Sequence, residues 1–269
     1  MPTHPGSSSR MFYSLHEPDQ SDRGSITLLH GLGSCGDDWL LQVPPLVGHY
    51  RILAPDLPGH GNSSLERRLP LISHYADDVA SLIAALELYP THVVGLSLGG
   101  LVAQQLALDY PELVRSLTLV NTFPQLKTAL GRRKLRSMGR LSFLLRGNME
   151  GVGQWVAEGL FPGPDQAFMR QAAAERIGSN PRRAYLQAMW AAFRFNSRRR
   201  LPEINIPTLV VAGDADTTVS MDANMELVRC IPGAQLAVIP NSGHATPIDA
   251  ADEFNQTLLD FLSQLDVGS

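Results

Sequence analysis

Cysteine is scarce in this chain of 269 residues: it has two, Cys35 and Cys230. They show no metal-ligand spacing, so neither a zinc site nor a disulfide framework can be read from them. Both are expected to be small buried apolar residues in a reducing compartment. Long apolar runs are missing as well. No stretch approaches the ~18 consecutive apolar residues of a membrane span. Met1 to Arg10 is polar, with Pro, Gly and Ser, and lacks the apolar centre of a signal peptide. These absences set the expectation of a cytoplasmic protein without a membrane span. Internal repeats are also absent, and the glycines of Gly95–Gly100 are not followed by the lysine that a phosphate-cradling loop requires.

What is present is a chain long enough, at 44% apolar residues, to bury the core of one large domain. β-Branched and apolar runs at Met11–Leu15, Ile26–Leu29, Arg51–Ala54, His92–Leu96, Ser116–Val120, Pro207–Ala212 and Gln235–Ile239 read as strands. Helical periodicity lies between them. Tyr75–Leu88 places Val79, Leu82, Ile83 and Leu86 on one face, and Ala250–Gln264 does the same with Phe254, Leu258, Phe261 and Leu262. Alternation of this kind predicts an α/β fold with a mostly parallel sheet and helices on both faces. The rhythm changes between residues 122 and 200, where no strand pattern appears and short helical stretches are broken by Gly147, Gly163 and Pro181. The expected organisation is therefore a core of residues 1–121 and 201–269 carrying a helical insertion, 122–200.

One segment carries more chemical information than any other. Val93-Val94 runs into Gly-Leu-Ser-Leu-Gly-Gly at 95–100, and a helix-competent stretch follows from Leu101. A serine between a strand and a helix, with glycines where Cβ atoms would clash, fits a sharp turn that lifts the Ser97 hydroxyl out of the sheet. A serine hydroxyl is a weak nucleophile and needs a general base oriented by a carboxylate. The base belongs late in the chain, just past a strand, and His244 in Asn-Ser-Gly-His is the histidine there. The acid belongs between them. Asp214 and Asp216 both follow the strand ending at Ala212; Asp214 reads as a turn residue, and Asp216, further along the loop, is the stronger candidate. Charge developing on a substrate oxygen needs backbone donors. The loop His30-Gly31-Leu32-Gly33 and the residue after Ser97 place them at the amides of Leu32 and Leu98. His30 itself reads as a brace for that loop.

With these pieces in order, the chain resembles the α/β-hydrolases over nearly its whole length. The motifs are His30-Gly31-Leu32-Gly33, Pro55-Asp56-Leu57-Pro58-Gly59-His60-Gly61-Asn62-Ser63, the 95–100 turn, Gly213-x-x-Asp216 and Gly243-His244. One departure is Ser220, where family members often have proline. The resemblance implies a serine hydrolase that cleaves a carboxylic ester of a small or medium acyl substrate through an acyl-enzyme, without metal or organic cofactor. It assigns a structural role to Asp56 and the 58–61 turn. Serine at the turn sets the chain apart from haloalkane dehalogenases and epoxide hydrolases, which use aspartate there. Lactonases, carbon–carbon hydrolases, perhydrolases, thioesterases and slow-turnover ligand receptors of the fold remain alternatives. So do esterases that cleave carrier-bound methyl esters in biotin synthesis, which are similar in length and layout. The helical insertion resembles the family's cap, with Trp155, Phe161, Met189, Trp190 and Phe193 placed either to face the substrate pocket or to pack within the cap.

Charge is unevenly spread. Residues 123–200 hold 15 of the 22 Lys and Arg but four of the 26 acids, a net +11 against −15 for the rest. Salt bridges between insertion and core would explain this, and so would a surface for an anionic partner such as an acyl carrier, a coenzyme A ester or a membrane surface. Nucleic acid is not expected. The oligomeric state is not encoded in any pattern here.

Overall fold

The computed structural model of the chain describes residues 2–6, 9–18, 23–126 and 132–266, and the side chains within that set except those of 132–138 and 266. Eight strands form one sheet: β1 (Thr3–Pro5), β2 (Arg10–His16), β3 (Ser25–Leu29), β4 (Arg51–Pro55), β5 (Thr91–Leu96), β6 (Val114–Val120), β7 (Thr208–Gly213) and β8 (Gln235–Ile239). Their order across the sheet is β1-β2-β4-β3-β5-β6-β7-β8. The pairings β1/β2 and β2/β4 are antiparallel, and the others are parallel. All seven expected strands form. β1 was not expected, because three residues that include a proline carry no alternation to read.

Helices follow the strands: α1 (Val43–Val47), α2 (Ile72–Ala85), α3 (Leu98–Asp109), α4 (Arg132–Leu145), α5 (Met149–Leu160), α6 (Ala167–Gly178), α7 (Arg182–Arg194), α8 (Met221–Cys230), α9 (Thr246–Asp249) and α10 (Ala251–Asp266). The central strands divide their side chains between two layers because successive residues point to opposite faces. Leu29, Val93, Leu119 and Val210 pack with α2, α3 and α8 through Val79, Ile83, Val102, Leu106 and Leu227. Leu28, Val94, Val120 and Val211 pack on the other side with Trp39, Leu46, Phe254, Leu258 and Phe261. Burial on both faces is why these strands read as continuous apolar runs rather than alternating ones. α2 starts at Ile72, three residues before the expected Tyr75, and the Leu71 N–H there donates to His74 Nδ1 at 2.9 Å.

α4 to α7 lie between β6 and β7 and have their own core of Leu144, Val152, Ile177 and Tyr185, against which Leu32 packs. The chain leaves and re-enters the sheet layer at one place. Gln125 and Asn196 form an isolated antiparallel bridge there. The Ser197 N–H donates to Pro124 O at 3.0 Å, and its hydroxyl donates to Gln104 Oε1 on α3 at 2.7 Å. Three arginines of the basic segment pair with acids of the core: Arg176 with Asp38 at 3.5 Å, Arg198 with Glu226 at 2.8 Å and Arg200 with Asp109 at 2.7 Å. Part of the charge imbalance is therefore internal. Lys127, Arg132, Arg133, Lys134 and Arg136 fall where side chains are outside the described set. Among the described residues, no helix is long and apolar enough to cross a membrane.

Phe254 on α10 is fully buried, with its ring centroid 6.3 Å from that of Trp39. Phe254→Ala should lower unfolding free energy by about 3–5 kcal/mol. Urea denaturation followed by tryptophan fluorescence checks this.

Candidate active site

The site lies at the carboxyl ends of the parallel strands, where the loops after β3, β5, β6, β7 and β8 meet. At the end of β5 the chain turns into α3 with Ser97 at φ 52°, ψ −110°, a left-handed conformation that a non-glycine residue seldom adopts. Two glycines permit it. A Cβ on Gly95 would lie 2.4 Å from Gly99 O, and one on Gly99 would lie 2.1 Å from Leu29 O. Both contacts are with backbone that cannot yield, so the spacing around Ser97 is a steric necessity. The Ser97 N–H donates to Val120 O at 3.0 Å, fixing the turn to β6.

Ser97 Oγ is 3.0 Å from His244 Nε2, and His244 Nδ1 is 2.8 Å from Asp216 Oδ2. The second carboxylate oxygen, Oδ1, accepts the N–H groups of Thr218 at 2.6 Å and Val219 at 3.0 Å. The Asp216 side chain is 2% exposed and that of His244 10%. Of the two candidate acids, then, Asp216 reaches the imidazole. Asp214 is exposed, and its N–H donates to Ile239 O at 3.1 Å, as a turn residue's would. With Asp216 on Nδ1, the imidazole can present Nε2 as an acceptor to the serine hydroxyl, the arrangement that draws a proton from it.

Leu98 is the first residue of α3, where backbone N–H groups lack intrahelical partners. The Gly31 segment lies beside Ser97: a Cβ on Gly31 would be 3.7 Å from the serine Cβ. Leu32 follows directly, half-buried against the core of the insertion. The five residues considered for a pocket separate. Phe161 is buried, Trp155 packs on the Phe143 ring at 6.2 Å, and Met189 joins the cluster that includes Leu32. Trp190 and Phe193 are exposed on α7, with their rings 6.0 Å apart and the Arg194 guanidinium over Trp190. A groove of about 660 Å³ between α5 and α6, lined by Glu150, Glu158, Arg170 and Glu175 among others, contains none of Ser97, Asp216 and His244.

Several residues hold this assembly from beneath. His30 Nδ1 is 2.8 Å from Gly31 O, and its Nε2 accepts the Leu57 N–H at 2.9 Å, so the ring braces its loop against the 56–63 turn. Asp56 Oδ1 and Oδ2 accept the N–H groups of Gly36 and Asn62, each at 2.8 Å. Burial raises the pKa of Asp56. Asn121, fully buried, donates from Nδ2 to His244 O at 2.9 Å and accepts the Gly213 N–H at 2.9 Å. Asp249 accepts the Gly243 N–H at 2.7 Å and the Ser242 hydroxyl at 2.8 Å, and burial raises its pKa also. Asn121 and Asp249 are not marked by any motif in the sequence. Their only signals were an Asn-Thr pair directly after a strand and an acid five residues beyond Gly-His.

A mostly parallel sheet of this order, with a serine at a strained strand-to-helix turn and an Asp–His pair from later loops, defines the architecture of an α/β hydrolase. The sequence profile of the Alpha/beta hydrolase family matches residues 28–257, and the chain belongs to that family. "Putative carbamate hydrolase RutD" of Rhizobium rhizogenes strain K84 is 32% identical over 260 residues, covering 94% of this chain and 97% of that one. A hydrolase from Pseudomonas aeruginosa PA01 superposes with a TM-score of 0.86 at 26% identity, covering 97% of each chain. Est816, described as an N-acyl homoserine lactone degrading enzyme, superposes at 0.82 and 26% identity, covering 97% of this chain and all of that one.

Two of the buried histidines, His30 and His60, make stability depend on pH. Burial lowers His30 to about 4 and His60 to about 3, both from 6.5. Because the unfolded chain binds protons more readily than the folded one across pH 4–6.5, stability is complete above that window and falls as pH drops through it. Between pH 7 and pH 5 the loss should be about 2 kcal/mol per histidine. Urea denaturation at the two pH values should show it, with a smaller loss in His60→Phe, which removes one of the two titrating rings and gives up the contact of Nδ1 with Pro58 O.

Proposed function

We propose that the protein is a serine hydrolase of carboxylic esters, with Ser97 as nucleophile, His244 as general base and acid, and Asp216 as the residue that orients and charge-balances the imidazole. The observation that carries this reading is the unbroken series Ser97 Oγ–His244 Nε2, His244 Nδ1–Asp216 Oδ2, at 3.0 and 2.8 Å. His244 takes the hydroxyl proton as Oγ attacks the ester carbonyl. The Leu32 and Leu98 amides receive the oxyanion, and collapse of the tetrahedral intermediate expels the alcohol with the proton from His244. Water then attacks the acyl-enzyme, with His244 again as base, and the acid leaves as Ser97 regains its proton. The helices α4–α7 serve as a cap over the site, and Leu32 and Met189, which share a cluster, form part of its apolar wall. No cofactor enters this scheme.

A carbamate ester is the second reading. It is favoured by the relative named as a carbamate hydrolase, which aligns over 94% of this chain. A carbamate carbonyl meets the same nucleophile and the same oxyanion donors, but its nitrogen lone pair makes it less electrophilic, so the same machinery would turn it over more slowly.

Hydrolysis of p-nitrophenyl esters from acetyl to dodecanoyl, alongside a p-nitrophenyl carbamate, separates the readings. Ester turnover should fall at least ~10³-fold in Ser97→Ala and roughly 10³–10⁴-fold in Asp216→Asn. Activity that survives Ser97→Ala would overturn the assignment. A carbamate hydrolysed faster than every ester would select the second reading.

A further inference from the structure

We propose that Asn121 is a positioning residue for the reaction: its side chain sets His244 and Asp216 in one frame with Ser97. This inference rests on the triad reading above. Asn121 stands at the end of β6, between the strand that leads to Ser97 and the strand that leads to Asp216. Its φ is 44°, in the left-handed region that asparagine tolerates better than most residues. The backbone N–H donates to Val211 O at 2.9 Å, which seats the residue against β7.

The side chain is used at both ends. Oδ1 accepts the Gly213 N–H at 2.9 Å, at the root of the loop that carries Asp216. Nδ2 faces three acceptors on the histidine loop: Gly243 O at 3.1 Å, His244 O at 2.9 Å and Thr246 Oγ1 at 2.7 Å. The next residue completes the set, since Thr122 Oγ1 donates to Ser97 O at 2.8 Å. Two consecutive residues just after β6 thus bond to the segments that carry Ser97, Asp216 and His244.

The chemistry of the position is specific. An acceptor must meet Gly213 and a donor must meet the carbonyls of the histidine loop, and a primary amide offers both on one planar group. A carboxylate would turn an oxygen toward the Gly243 and His244 carbonyls. An alkyl side chain would take the partner from the Gly213 N–H and the His244 carbonyl, a costly loss for buried groups. Asp249 grips Gly243 from the opposite side through its N–H. Gly243, the residue before His244, is therefore held between the end of β6 and α9, and the imidazole inherits its place from that clamp. Displacement of a reacting group by about 1 Å can cost ~100-fold in rate.

The test uses Asn121→Ala, Thr246→Val and Ser97→Ala in the full chain, with circular dichroism to confirm folding. Two readouts are needed: steady-state ester hydrolysis, and the low-field proton resonance of the His244 Nδ1–H bonded to Asp216. Folded Asn121→Ala should lose roughly 30–100-fold in kcat with KM changed less than about threefold. Its low-field resonance should broaden or vanish. A residue that merely stabilises the fold would lower Tm but leave kcat and the resonance of the folded protein unchanged, and that result overturns the proposal. Should Asn121→Ala fail to fold, Thr246→Val carries the test: roughly a fivefold kcat loss with a broadened resonance supports the proposal, and neither change overturns it. Ser97→Ala distinguishes the two levels. If turnover survives in that variant, the triad reading fails, while the resonance, which needs no substrate, still decides whether Asn121 places His244 against Asp216.

Discussion

The close approach of α3 to β3 is the constraint on which the rest of the site depends. Gly99 lies so near the Leu29 carbonyl that no side-chain atom fits between them, and Gly95 stands in the same relation to Gly99. This contact lets the chain reverse from strand to helix within one residue, and Ser97 absorbs the reversal with its unfavourable φ and ψ. Strain of that kind persists only where the surroundings over-determine it. Here they do: the serine N–H is held by Val120, its carbonyl by Thr122, and the glycines on either side pack backbone against backbone.

A second consequence concerns polar burial. Strands that end together leave N–H and carbonyl groups pointing into a common space, and each must find a partner there. Asn121, Ser242, Thr246 and Asp249 satisfy that demand at the ends of β6, β7 and β8. Ala215 and Asp214 contribute their own N–H groups to Ser242 and Ile239. The same bonds that make burial tolerable fix the loops that bear Asp216 and His244.

The sheet was legible in the sequence because its central strands are buried on both faces and therefore read as apolar runs flanked by turn residues. The meeting of Ser97, Asp216 and His244 was legible for a different reason: each follows a strand, in the order expected of this fold. Legibility failed where partners are distant in sequence. Asn121 meets residues 92 and 123 positions further along the chain, and nothing local to it announces that meeting. For the residues considered for a pocket, the sequence left two roles open, and it does not say which face of a helix is covered. Helical periodicity places Trp190 and Phe193 on an amphipathic helix, but which side is covered depends on packing; Ala184, Ala188 and Ala191 face inward, and the two aromatic rings do not.

The narrow neck between Gln125 and Asn196 has an evolutionary reading. The chain departs from the end of β6 and returns to within one backbone bridge of its point of departure. Whatever lies between those two residues is grafted onto the sheet rather than woven through it. Drift in the length, charge or shape of that graft leaves the strand order and the strained serine undisturbed. A lineage built on this plan is therefore free to remodel the graft while inheriting the sheet and its serine turn unchanged.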